Sequence, residues 1–248
     1  MLSKAFVSTM KKAHLVILLS LIGAVAIGIG VYLNLEKVKA LDLRLTLAIN
    51  GSDSTTVDWI AILITSTETW IPIGIVLLYC LWRERGLKDM LLVLGGIALC
   101  ILMADLLSSG ICKPLVGRLR PTHTPALTEV VDVAFGYRGG KYSFFSSHAA
   151  NTMSVAVFLL LMMRKWTVGI GLILWSLLNC WSRLYLGVHY LGDVLVGIVW
   201  GIIVGWVVYL WMRSPLGRKA LVQQKPIVIA MLITFALIAA ASPFLPSE

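Results

Sequence analysis

Charge is what this chain has least of. Only 13% of its 248 residues are Asp, Glu, Lys or Arg, against 59% hydrophobic, whereas about a quarter of a soluble globular domain is charged. With a mean hydropathy of +0.91, that scarcity excludes an ordinary soluble fold and indicates an integral membrane protein. Cysteine is sparse as well. Cys80, Cys100, Cys112 and Cys180 show no CxxC spacing, so neither a metal cluster nor a disulfide framework is indicated. They read as small apolar packing residues. Internal repeats, low-complexity segments, zinc patterns and polybasic stripes are all missing, so the net charge of +9 does not point to nucleic acid. Nor does a small-x-small cleavage site end the apolar stretch Leu15 to Leu33 that follows Lys4, Lys11 and Lys12. That stretch reads as an uncleaved first span rather than a signal peptide.

What the chain does have is long apolar runs. Hydropathy predicts spans near 14–34, 67–83, 89–111, 147–163, 166–186, 190–212 and 226–245. At about 1.5 Å per residue each covers a hydrocarbon core of roughly 30 Å, the second and fourth only just. The expected fold is therefore all-α, a polytopic helical bundle forming one membrane domain over 1–248. Its six-span core covers about 14–212, and an extra C-terminal span covers about 226–245. Asp58 to Ile64 reads as a separate interfacial helix between Trp59 and Trp70, since Trp gathers at the membrane–water boundary. With the N-terminus inside, the inner segments hold twelve of the 21 Lys and Arg and the outer ones nine. Of those nine, Lys113, Arg118, Arg120 and Arg183 lie in or beside polar clusters. The positive-inside bias puts the N-terminus in and the C-terminus out. Gly197-x3-Gly201-x3-Gly205 forms a small-residue face, read as tight packing within the bundle rather than a dimer seam.

Three polar clusters interrupt the apolar pattern. The first runs from Lys113 to Arg120-Pro121, the second is Ser146-Ser147-His148, and the third runs from Ser182-Arg183 through His189 to Asp193. In the predicted topology the third span exits at Lys113, the fourth enters at His148, the fifth exits at Arg183 and the sixth enters at His189. All three clusters then fall on the outer side, although the cation count did not require it. Gly136, Gly139 and Gly140 mark turns in the one sizeable outer loop, Pro121 to Phe145, which suits a flap over the site or an ordinary surface loop.

The residue types point to phosphoryl chemistry. His189 and Asp193 stand at i and i+4, so the carboxylate can fix the imidazole tautomer and stabilise the cation formed when the ring attacks. His148 opens a helix whose N-terminal N–H groups and Ser146 cap favour an anion. Lys113, Arg120 and Arg183 add positive charge suited to phosphate, while Arg118 faces either lipid head groups or the pocket. Assembled, Lys113, Arg120, Ser146, Ser147 and Arg183 bind phosphoryl oxygens. His189 attacks phosphorus to give a phosphohistidine, and His148 protonates the leaving oxygen. No metal or other cofactor is needed, because the cations neutralise the developing charge. Asp105, deeper in the third span, reads as a polar clamp with Ser108, Ser109 or Asn179 rather than a direct participant.

Lys113-x6-Arg120-Pro121, Ser146-Ser147-His148 and Ser182-Arg183-x5-His189-x3-Asp193 together resemble the three-part motif of the type 2 phosphatidic acid phosphatase superfamily. The resemblance implies a metal-independent hydrolase, with His189 as nucleophile, Asp193 as its orienting partner and His148 as general acid. It also implies phosphate binding by Lys113, Arg120, Ser146 and Arg183. A lipid phosphate or pyrophosphate is the expected substrate (undecaprenyl pyrophosphate, phosphatidylglycerophosphate or phosphatidic acid), cleaved at the outer, periplasmic face of a bacterial inner membrane. Lipid A is the alternative substrate, and a phosphorylated-lipid binder or transporter the alternative of another class. Membrane lipids are the only other partners expected, with no obligatory protein partner and no nucleic acid. One departure stands out. The family's second motif usually reads Pro-Ser-Gly-His, and here it is Phe145-Ser146-Ser147-His148. Ser keeps the backbone N–H of Gly, and Phe in place of Pro either loosens the entry to the helix or stacks on substrate.

Overall fold

A computed structural model describes residues 36–164, 166–216 and 224–241, with Ile22, Gly23, Val25, Gly28, Ile29 and Phe244 in addition. The expected first span, 14–34, therefore lies outside the described residues except at five positions. By compactness the chain divides into Met1–Arg44 and Leu45–Glu248. Among the described residues, the boundary falls inside the first continuous helix, α1 (Glu36–Leu47).

In the second unit a short helix, α2 (Thr55–Thr65), begins where the Ser54 side chain accepts from Val57 N–H. This is the separate helix expected ahead of the second span, and Trp70 Nε1 closes its end by donating to the Ile64 carbonyl at 2.9 Å. The apolar stretch Thr67–Val116 then runs for 50 residues, about 75 Å of helix and more than twice the hydrocarbon thickness. One reversal is obligatory, and α3 (Ile71–Asp105) makes it at Gly86, whose φ of 83° and ψ of 170° break the helical path. Arg85 and Asp89 pair at 3.0 Å across the break. The second and third predicted spans are thus the two limbs of α3, joined where the charged residues were.

Beyond Asp105 the helix widens into a π-helical stretch, Leu106–Cys112, so that the Lys113 N–H reaches the Ser108 carbonyl five residues back. Pro114 offers the reason. It lacks an N–H, and its ring would meet the Gly110 carbonyl in a regular α-helix. A last turn, α4 (Lys113–Val116), ends at Gly117. The remaining helices are α5 (Ser147–Met163), α6 (Trp166–Tyr185), α7 (Leu191–Leu216) and α8 (Lys225–Ala241). Among the described residues, Thr67–Val116, Trp166–Tyr185 and Leu191–Ser214 are long and apolar enough to cross a membrane, while α5 and α8 are shorter apolar helices. Large apolar side chains such as Ile75, Leu102 and Leu237 are exposed on their outer faces, as lipid-facing residues must be.

The core of the bundle is the α5–α7 pair. A Cβ on Gly197 would meet the Ser146 carbonyl at 2.6 Å, one on Gly201 the Ala150 carbonyl at 2.7 Å, and one on Gly205 the Ser154 carbonyl at 2.4 Å. The small-residue face is therefore spent on helix packing inside the chain, as the spacing suggested. Close approach of these backbones brings the start of α5 against the start of α7, where Ser146 N–H donates to the Asp193 carbonyl at 3.0 Å. All four cysteines are unpaired and buried.

Candidate active site

The three motif clusters meet at one end of the bundle. Lys113 closes the π-helical stretch and reaches across to the second cluster, donating to Ser147 Oγ at 2.9 Å. Ser146 caps α5 by accepting from the Ala149 N–H at 3.3 Å, which leaves its own hydroxyl proton to donate elsewhere. Ser147 is the first helical residue of α5 and lies outside the positive-φ set, so the position does not demand glycine. Its hydroxyl instead gives Lys113 an acceptor. Phe145 is fully buried and packs edge-on against Phe144, which rules out substrate stacking, the second of its two expected roles. Its carbonyl accepts from Ser108 Oγ at 2.8 Å.

Asp193 sits on the first turn of α7 with no solvent exposure. Its Oδ2 accepts from the Tyr190 N–H at 3.0 Å and lies 3.7 Å from His189 Nδ1. The expected i,i+4 pair is therefore adjacent, although the gap is longer than a hydrogen bond. Its Oδ1 accepts from Arg118 Nη1 at 2.9 Å, and the Arg118 guanidinium lies 3.6 Å above the Tyr190 ring. Of the two placements open to Arg118, the structure selects the pocket side.

His189 is completely buried, and neither ring nitrogen has a hydrogen-bond partner. Burial first, then the charges of Arg120, Arg183 and Lys113, hold its pKa well below the ordinary histidine value; the Ser143 backbone, close to the ring but outside hydrogen-bond geometry, works the other way. The ring is neutral at pH 7, as a nucleophile must be. His148, half-buried at the mouth of α5, lies within electrostatic reach of Arg183, His189, Arg120 and Lys113.

The two arginines complete the arrangement. Arg183 is 1% exposed, and its Nη1 donates to Thr65 Oγ1 at 2.5 Å and Tyr137 Oη at 2.9 Å. Arg120 Nε donates to the Tyr142 carbonyl at 3.2 Å. Burial and the neighbouring Arg183 lower the Arg120 pKa to about 10, which leaves it a cation at neutral pH. Arg120 Nη1 and Arg183 Nε are both buried with no acceptor. A buried N–H without a partner is costly, and two of them beside a histidine with two empty nitrogens form a locus shaped for an oxyanion. Among the described residues no group of three or more His, Cys, Asp or Glu side chains could hold a metal ion.

The loop from Pro121 to Phe145 is tied down over this end at many points. Arg120 N–H bonds to the Lys141 carbonyl and Ser143 N–H to the Arg118 carbonyl, and Phe135 lies against Trp59 at 4.7 Å. Of the two expectations, a flap or an ordinary surface loop, the contacts favour neither. The loop is part of the site wall. Gly139, at φ +63°, passes so close to Arg120 that a Cβ would lie 2.1 Å from Nη1.

Sequence reasoning did not single out Thr65 or Tyr137, which hold Arg183, and it left Arg118 unassigned. Thr65 and Tyr137 are 118 and 46 residues from Arg183, and no spacing rule links them. Asp105 is resolved among its three expected partners: Ser109 Oγ donates to its Oδ1 at 2.9 Å.

Comparison with known proteins gives concordant results. Residues 91–215 match the model of the PAP2 superfamily. A lipid A 4'-phosphatase of Porphyromonas gingivalis is 36% identical over 189 residues, 73% of this chain and 78% of that protein. Another from Bacteroides thetaiotaomicron is 36% identical over 176 residues, 71% of this chain and 78% of that protein. The fold resembles the crystal structure of a transmembrane PAP2-type phosphatidylglycerolphosphate phosphatase from Bacillus subtilis, with a TM-score of 0.60 at 24% identity. The likeness covers 79% of this chain and 96% of that one.

Proposed function

This chain belongs to the PAP2 superfamily and is a membrane lipid phosphatase, and from that premise we propose that it removes phosphate from a lipid-anchored sugar of the lipid A type through a phosphohistidine on His189. The observation that carries the mechanism is the convergence of orphaned buried nitrogens, Arg120 Nη1, Arg183 Nε and both ring nitrogens of His189. A protein that only held a phosphorylated lipid would need the cations, but not a neutral, unpartnered imidazole beside a buried carboxylate.

The steps follow from the positions. The phosphoryl oxygens accept from Arg120, Arg183, Lys113 and the Ser146-Ser147 helix start, whose N–H groups and dipole favour the anion. Nδ1 of His189 is the nitrogen on the Asp193 side, so Nε2 attacks phosphorus. As the P–N bond forms, the ester P–O bond breaks, and His148 gives its proton to the leaving oxygen. Asp193 stabilises the positive charge that the ring acquires. Water, deprotonated by His148, then cleaves the P–N bond and releases inorganic phosphate.

Lipid A moves ahead of undecaprenyl pyrophosphate, phosphatidylglycerophosphate and phosphatidic acid because both curated relatives are named for it. The site is proposed to face the periplasm from the inner membrane, on the strength of the cation distribution in the sequence. The test is phosphate release by the purified protein in detergent with EDTA, from all four lipids, with His189→Ala alongside. Preferred cleavage of lipid A that survives EDTA and vanishes in the variant is expected. Lipid binding without release from any of the four would contradict the proposal.

A further inference from the structure

We propose that Asp105 and Ser109 form a half-buried relay that aims Lys113 at the substrate phosphoryl group, which makes both of them positioning residues for the reaction. The inference rests on the phosphatase reading of the His189 site.

The relay is a spacing before it is a structure. Asp105, Ser109 and Lys113 stand four residues apart along one strongly apolar helix. Ser109 Oγ donates to Asp105 Oδ1 at 2.9 Å, and Lys113 Nζ donates to Ser109 Oγ at 3.0 Å. The direction of these bonds is forced. A serine hydroxyl has one proton, and the carboxylate takes it. The lone pairs of Ser109 must then face Lys113. Without Asp105 the hydroxyl would be free to turn back to a carbonyl of the preceding turn, as helical serines commonly do, and Lys113 would lose its acceptor.

The far side of Lys113 completes the argument. Its ammonium has three donors. Ser109 takes one, and Ser147, at the start of α5, takes a second at 2.9 Å. The third is left for a phosphoryl oxygen, its direction set by the other two. Lys113 also feels the repulsion of Arg120 and Arg183 and the attraction of Asp105 and Asp193, with His148 and His189 facing it across the site. Asp105 is the one acid among these on its own helix, and it sits away from the reacting atoms, where it can offset the cations without repelling the substrate. An acid within an apolar membrane helix is costly to keep without a purpose. The π-helical widening at Leu106–Cys112 covers the segment through which the relay runs.

The test is a double-mutant cycle on the full chain in detergent. Asp105→Asn, Ser109→Ala and Lys113→Met are made singly and in pairs, and orthovanadate binding is measured by calorimetry as a probe of the phosphoryl subsite. Asp105→Asn and Ser109→Ala should each weaken orthovanadate binding and lower kcat/KM by about tenfold, as expected for a lost charge-assisted hydrogen bond. With Lys113 already replaced by Met, either change should weaken binding by less than about twofold. Losses that multiply in the Lys113→Met background would overturn the relay, because damage to the helix itself does not depend on Lys113. If Asp105→Asn fails to fold, Ser109→Ala removes a single hydroxyl and carries the same test. His189→Ala separates the two claims. Full turnover in that variant sinks the His189 phosphohistidine reading, whereas an inactive His189→Ala with multiplying losses sinks the relay alone.

Discussion

Replacing Asp193 by Asn should cost this enzyme most of its turnover while leaving its fold intact. The carboxylate lies 3.7 Å from His189 Nδ1, and the ring becomes cationic as Nε2 bonds to phosphorus. At an effective dielectric of about 20, opposite charges at that distance attract by about 4.5 kcal/mol, or roughly a thousandfold in rate. Asn keeps the size of Asp and can still accept from the Tyr190 N–H. It can also turn its amide toward His189 and favour the wrong tautomer, so the loss should be no smaller than the charge alone implies. The assay is single-turnover phosphate release from the preferred lipid, beside orthovanadate affinity and the melting temperature of the detergent-solubilised protein. The expected result is a fall in rate of about a thousandfold with a folded protein. A fall of less than about tenfold would mean that Asp193 serves Arg118 and the Tyr190 turn rather than the nucleophile.

Three further outcomes follow from the geometry. Gly201→Val places a branched side chain where even a Cβ would lie 2.7 Å from the Ala150 carbonyl and 2.8 Å from Met153 Cβ, so α5 and α7 must separate. Denaturant unfolding should show a loss of about 1–3 kcal/mol, with activity falling because α5 carries Ser146 to His148. Gly139→Ala drives a Cβ into the Arg120 guanidinium at a φ of +63° and should raise KM several-fold, with a smaller change in kcat, by displacing a phosphate ligand. His189 has a depressed pKa in the folded state, so 15N NMR of the labelled protein, assigned with His189→Gln, should find its ring neutral at pH 6.5. The sign for stability follows directly. The unfolded chain takes up the proton first, so this histidine's contribution is complete above its unfolded pKa of about 6.5 and is lost as pH falls below it. A ring that titrates at or above 6.5 would contradict the burial argument.

The parts legible in the sequence are those written as local spacing. His189 and Asp193 come together at the spacing of four that the sequence shows, although His189 stands in the turn ahead of α7 and only Asp193 is on the helix. The Arg83 to Asp89 stretch marks a reversal because charged residues are expensive in lipid, and Gly86 then supplies the dihedral that the reversal needs. Gly197, Gly201 and Gly205 announce close helix packing, and α5 is the partner they find. The illegible parts are contacts between distant segments. Tyr137 reaches Arg183 only because the Pro121 to Phe145 loop folds back over the site, through turns that no periodicity encodes. Arg118 reaches Asp193 because Gly117 ends α4 in a left-handed turn that redirects the chain. The π-helical stretch before Lys113 was invisible for another reason. Pro114 signals a break in the ladder, but whether the break becomes a kink, a stop or a widened turn depends on what packs against it.

The central claim is that phosphate passes through His189. Rapid quenching of the enzyme during turnover of a radiolabelled lipid phosphate, followed by peptide mass spectrometry, tests it most directly. A phosphoryl group on His189 that is labile to acid and stable to base, absent from His189→Ala, is the result predicted here. Label on Ser146 or Ser147, or steady phosphate release with no labelled protein at any quench time, would contradict it.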